Sequence, residues 1–316
     1  MLFNTIKKRE DMFRWLDTHQ PRLLSVVMLI ALATMYSLGF LSASLATLDF
    51  GPVSAGALRV IFASFFLLAI SRIFGIGLVT SHLMWKYAFA YGVPCMAIPL
   101  TLLPWTLTYI SNTTAAIYYA VIPLKVLVLS KIFLGSPISI RKWIGFAIAS
   151  GGLIFLAISG SKGAEGTISS LNWRENNDLP LWLPHVTCIM TALFIAAGGV
   201  LFQKMPKISP ISITASALLM GNLVAIPALL LTLPSELPSA EGLLWAACGG
   251  VVATGCGMIL RGTLIRRENA IFTSTNGYMV PIITALIGVL ALGENIGLVA
   301  FFSYALVLIG LLLSRN

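Results

Sequence analysis

Long apolar stretches, broken by short polar ones, run along almost the whole chain. They cover 23–47, 54–74, 83–108, 113–133, 139–160, 181–203, 211–233, 240–264, 270–291 and 296–314. Each is close to the ~20 residues an α-helix needs to cross ~30 Å of hydrocarbon. Helices suit that setting because they satisfy their own backbone hydrogen bonds. The pattern predicts an all-α membrane protein with ten transmembrane helices. The longest connection, 161–180, is rich in Ser, Gly, Asn and Glu and lies almost at the midpoint. The chain thus divides into an N-terminal segment 1–22, a five-helix unit 23–160, a linker 161–180 and a second five-helix unit 181–316.

A shift of 158 residues brings the landmarks of the two units together without a gap. Pro52 meets Pro210, Ser54 meets Ser212, Gly92 meets Gly250 and Pro123 meets Pro281. Leu134-Gly135 meets Leu292-Gly293, and Gly152 meets Gly310. Five is an odd number of crossings, so the second unit enters the bilayer from the opposite face. That is the inverted-topology repeat found in secondary transporters.

Charge fixes the expected orientation. With the N-terminus cytoplasmic, the inner segments hold Lys7, Lys8, Arg9, Arg14, Arg22, Arg72, Lys86, Lys131, Arg141, Lys142, Lys204, Lys207, Arg261, Arg266, Arg267 and Arg315. The outer segments hold only Lys162 and Arg174, which makes the linker extracytoplasmic and leaves both termini cytoplasmic. This asymmetry accounts for the net charge of +9 without a nucleic-acid partner. Only 10% of residues are charged and mean hydropathy is +0.94, far from a soluble domain. Tryptophans agree: Trp15, Trp85 and Trp143 fall near the inner face, and Trp105, Trp173, Trp182 and Trp245 near the outer one. The first apolar run is too long for a signal-peptide core. The stretch before it, with Phe3, Ile6, Phe13 and Leu16 among basic residues, suits either a helix on an anionic membrane face or a basic tail. Cys95, Cys188, Cys248 and Cys256 all lie in apolar runs without metal spacing.

Few residues offer chemistry. Pro123 and Pro281 sit mid-helix at matching places in the fourth and ninth spans, where a proline kinks a helix and suits a gate. The third span adds Pro94, Pro99 and Pro104, and the eighth adds Gly249, Gly250, Gly255 and Gly257. Lys125 lies two residues past the first kink. A cation there costs ~2.5–3.5 kcal/mol, so it should face a polar cavity or a partner. It is the expected anchor for an acidic group. Arg59, about five residues from the outer end of the second span, reads as a structural charge within snorkelling reach. All eleven acids fall at helix ends, in loops or in the tail, whereas a proton-coupled exporter of cationic drugs needs a buried carboxylate. His185, near the outer end of the sixth span, is the one candidate for proton chemistry, although its place suits a packed or interfacial histidine better. Tyr36, Trp105, Tyr109, Tyr118, Tyr119, Thr275, Asn276 and Tyr278 could line a pocket with hydrogen bonds and stacking faces. No Walker A loop, HExxH or catalytic cluster occurs, so an enzyme is not expected.

These features resemble the EamA family of the drug/metabolite transporter (DMT) superfamily. Pro281-Ile282-Ile283-Thr284-Ala285, then Leu292-Gly293-Glu294-Asn295, then Gly310, is similar to its pattern of mid-helix proline, terminal Gly-Glu and last-helix Gly. The first half repeats it as Pro123, Leu134-Gly135-Ser136 and Gly152, with Ser136 in place of the acid. Leu58-Arg59-Val60 after Pro52 resembles the family's arginine in helix 2. The resemblance implies a central cavity, alternating access, no cofactor, and a small metabolite as cargo. An exported amino acid or other carboxylate-bearing solute is the leading expectation. An exchanger of phosphorylated sugars or nucleotide conjugates is the second, and a membrane-embedded enzyme or receptor is the reading from another class. The lipid bilayer is the expected surrounding, a bacterial cytoplasmic (inner) membrane the expected location, and a homodimer is left open.

Overall fold

The structure, a computed structural model, describes residues 21–135, 139–160, 180, 182–234, 238–293 and 297–313. The expectations for residues 1–20, for most of the 161–180 linker, and for Ser136, Glu294 and Asn295 lie outside these. Among the described residues there is no strand. The helices are α1 (Pro21–Phe50), α2 (Pro52–Ile73), α3 (His82–Leu107), α4 (Asn112–Leu134), α5 (Ile140–Gly160), α6 (Trp182–Lys204), α7 (Pro210–Leu231), α8 (Ala240–Arg267), α9 (Ala270–Leu292) and α10 (Leu298–Leu313). Eight of them, all but α5 and α10, are long and apolar enough to cross a bilayer by length and composition.

Local chemistry sets the helix ends, and it does so in pairs 158 residues apart. Ser81 and Ser239 cap α3 and α8, accepting from Met84 N–H and Gly242 N–H. Ser111 and Asn269 cap α4 and α9 in the same way, through Thr114 N–H and Phe272 N–H. A side-chain oxygen there satisfies an amide that the first turn leaves unpaired. Pro52 and Pro210 open α2 and α7, where a missing N–H costs nothing. Gly135 and Gly293 stop α4 and α9 at φ of 70° and 65°, a left-handed conformation that disfavours a side chain.

Packing repeats the pairing. Gly92 of α3 lies against the backbone of Ala217 in α7, while Gly250 of α8 lies against the backbone of Arg59 in α2. Gly152 meets Ser303 and Val307, and its mate Gly310 meets Gly145 and Ala149, the mates of those two. Ser64 of α2 accepts a hydrogen bond at 3.0 Å from Asn222 of α7, its own repeat mate. A residue that touches its own counterpart lies on the axis relating the halves. Ten residues earlier in α2, Ser54 bonds Thr232, ten residues later in α7. The two helices therefore run antiparallel, and so do the repeats. The expected inversion follows from these contacts.

The remaining contacts obey the same axis. Helix α1 packs on α8 and α9, and its mate α6 packs on α3 and α4. Helices α5 and α10 pack on each other. The four interrupted helices, α3, α4, α8 and α9, thus face a common centre with α1 and α6.

Candidate functional site

Each of those four helices departs from regular geometry where it passes the centre. Helix α3 carries a π-helical turn over Val93–Ala97, opened by Pro94, and α8 carries one over Gly249–Cys256, at the matching depth. Helix α4 breaks at Val121 and restarts with Pro123 in its first turn. Helix α9 tightens into a 3-10 turn over Thr275–Tyr278 before Pro281. The two breaks touch: a Cβ on Gly277 would lie 3.2 Å from the Pro123 ring. The prolines therefore head new helical segments rather than bend continuous ones. A π-turn or break leaves a widened groove and carbonyls off the ladder, a frequent mark of functional sites.

Between the halves lies a cavity of about 930 Å³, its mouth included. Tyr36 and Phe40 of α1, Met96 and Leu103 of α3, Tyr119 and Val126 of α4, Met258 of α8 and Asn276 of α9 contribute to its wall. Two guanidinium groups, Arg59 and Arg261, also line it. Both residues are buried.

The arginines occupy opposite ends of the chamber. Arg59 lies seven residues into α2, toward the end of the bundle where Asp49 of α1 meets Ser239 at the start of α8. Arg261 lies six residues from the other end of α8, where Ser25 donates to Glu268 and accepts from Arg267. At 1.5 Å per residue each guanidinium-bearing Cα sits about 10 Å inside its end. Arg59 donates from Nε to Thr254 Oγ1 at 2.8 Å and from Nη1 to the Gly39 carbonyl at 2.9 Å. Arg261 donates from Nη2 to the Ile195 carbonyl at 2.8 Å, and its buried Nη1 has no partner. Each guanidinium lies beside a glycine of the first helix of its own half, Arg59 by Gly39 and Arg261 by Gly199. A Cβ at Gly39 would come within 2.6 Å of Arg59 Nη2. Tyr36 shares the cavity wall with both charges, its ring against Gly257. No Asp or Glu among the described residues lines the cavity, and the ion pair of Arg267 with Glu268, at 4.0 Å, is at the bundle end.

The structure brings together three of the expected pocket residues, Tyr36, Tyr119 and Asn276, at the cavity wall. It places the others elsewhere. Tyr118 pairs with His185 Nδ1 at 2.8 Å, and Trp105 stacks on Tyr109 with ring centroids 5.1 Å apart. Thr275 bonds the Phe272 carbonyl of its own turn, and the Tyr278 carbonyl accepts from Tyr304 at 2.7 Å. Lys125 is not on the cavity wall: its Nζ donates to the Ile189 carbonyl of α6 at 2.9 Å, on an exposed face. Arg59 is both cavity-lining and tied to two helices. Arg261 is the residue that sequence reasoning missed, having been counted with the inner-face charges. The signal was present, since it falls inside the 240–264 apolar run and not after it.

Two antiparallel helical halves around a shared central chamber define a class of membrane protein: a carrier of small molecules. The chain belongs to the EamA-like transporter family, which matches residues 23–158 and 182–315, and so to the DMT superfamily. It is also similar to an "Uncharacterized transporter" of Archaeoglobus fulgidus, 25% identical over 293 residues, covering 90% of this chain and 96% of the relative. A solved crystal structure superimposes with a TM-score of 0.65 at 16% identity, covering 93% of this chain and 98% of that one, a likeness of fold.

Proposed function

We propose that this transporter moves a small organic solute bearing a carboxylate, by alternating access around the central cavity, in the direction of export. Ten helices span the bilayer in this reading, with both termini and the Arg267 end of α8 in the cytoplasm of a bacterial cell. The observation that carries it is the pair of buried arginines facing one chamber with no acid among the described residues to neutralise them. Burying one cation in a membrane costs ~2.5–3.5 kcal/mol. Two uncompensated ones on a shared cavity favour an anionic group arriving from outside the fold. Arg261 Nη1, buried and unpartnered, is the donor such a group would take. The paired breaks at Pro123 and Pro281 supply hinges that open either end in turn.

Ligand stabilisation tests this. Small carboxylates should raise the melting temperature of the purified protein in a dose-dependent way, and their methyl esters should not. Arg261→Met should weaken the carboxylate effect at least tenfold, about 1.4 kcal/mol. Equal stabilisation by acids and esters would sink the reading. Sugar phosphates belong in the same screen, because the two guanidiniums would also serve the exchanger reading.

A further inference from the structure

We infer that the cargo crosses as a net anion with no compensating ion, so that each turnover moves charge and the membrane potential itself drives export. The inference rests on the carboxylate-transport reading above. Its grounds are the charges that face the cavity and the ones that do not.

The cavity charge is fixed. A guanidinium does not deprotonate in a protein, so Arg59 and Arg261 stay positive in every orientation of the carrier. The other ionisable groups on the wall are Cys95, Tyr36 and Tyr119, a thiol and two phenols whose ordinary values lie above 8 and leave them neutral. Among the described residues no histidine lines the chamber, and His185 is engaged with Tyr118 outside it. The described carboxylates are held at the ends of the bundle: Asp49 with Ser239, Glu241 with Trp245, and Glu268 with Ser25. No lining side chain among the described residues can therefore ferry a proton at neutral pH, and two guanidiniums repel a co-transported cation. Over a full cycle the protein returns to its starting form, so its own charges contribute no net movement. What crosses is the charge of the cargo.

The same wall selects the cargo. The ammonium of a free amino acid would find no carboxylate here and two like charges. An organic acid whose amine is missing or acylated meets neither problem. Leu32, Phe40, Met96 and Met258 offer its body an apolar bed. An inside-negative potential pushes such an anion out of a cell, which gives export a driving force without a coupling ion. Each tenfold concentration gradient of a monoanion balances about 59 mV.

The test compares N-acetylphenylalanine with phenylalanine, which share ring and carboxylate and differ in net charge. The full chain is reconstituted in proteoliposomes, and potassium diffusion potentials are set with valinomycin. N-acetylphenylalanine should leave the negative side faster as the potential grows, reaching about a tenfold gradient per 59 mV. Phenylalanine should bind at least tenfold more weakly. Arg261→Lys, which keeps the charge, should lower affinity while preserving the voltage dependence. Its melting temperature separates loss of binding from loss of fold. Potential-independent transport of N-acetylphenylalanine, or tighter binding of phenylalanine, would overturn the inference and leave carboxylate transport standing. If wild type neither binds nor moves either compound, the carboxylate reading itself falls.

Discussion

The two arginines are bonded differently, and their substitutions should separate accordingly. Arg59 joins three helices: it rises from α2, donates to Thr254 of α8 and to Gly39 of α1. Removing a charged donor from buried acceptors costs about 1.5–3 kcal/mol per bond. Arg59→Met should therefore lower the melting temperature in detergent markedly. Arg261→Met forfeits the bond to the Ile195 carbonyl and the contact with the Tyr91 hydroxyl, bridges fewer helices with short bonds than Arg59 does, and should lose ligand response with a smaller loss of stability. If the two variants melt alike, the division of labour between them is wrong. Lys125 provides the contrast. Its Nζ bonds the Ile189 carbonyl, away from the cavity wall. Lys125→Met should leave affinity for carboxylates within about twofold, well under the 1.4 kcal/mol that a tenfold change requires. A tenfold loss in a binding assay would bring Lys125 into the site.

At the scale of elements, the proposed cycle makes the interruptions in α3, α4, α8 and α9 the moving parts and the glycine contacts the fixed ones. A Cβ at Gly92 would come within 1.8 Å of the Ala217 carbonyl oxygen, a backbone atom that cannot rotate aside. Gly92→Ala should cost at least the ~1–3 kcal/mol typical of overpacking, read as a fall in melting temperature. Pro123→Ala and Pro281→Ala restore an N–H at helix starts that already lack a partner for it. They should leave stability nearly unchanged and slow transport several-fold, because proline's fixed φ holds each hinge at its break and alanine does not. Unaltered turnover in both would remove these prolines from the gate.

At the scale of the molecule, the contacts of repeat mates set an axis through the Ser64–Asn222 bond. Points on the axis keep their distance when the halves rock against each other, whereas the bundle ends separate. A Ser64→Cys/Asn222→Cys pair, on a background without the four native cysteines, should cross-link and keep transport. An Asp49→Cys/Ser239→Cys pair should cross-link and block it. The reverse outcome would place the motion elsewhere. Impermeant thiol reagents should reach Asp49→Cys and Glu268→Cys from opposite faces of sealed vesicles.

Much of this was legible in the sequence because its causes are local or additive. Apolar length gave the helices, and a 158-residue offset gave two copies. Caps at Ser81 and Ser239, stops at Gly135 and Gly293, and breaks near Pro123 and Pro281 depend on a residue and its neighbours within one turn. The chamber's chemistry was not local. Lys125 and Arg261 each sit in an apolar run, and helical phase alone does not say which groove a long side chain enters. That was decided by which helix packs alongside: α6 offers Lys125 a carbonyl on an exposed face, and Gly199 of the same helix leaves room for Arg261 over the cavity. One dimension carries spacing and polarity, and these determined the class of protein. The direction in which a buried charge points is a property of several helices at once, so it arose only when the two halves closed around their common axis.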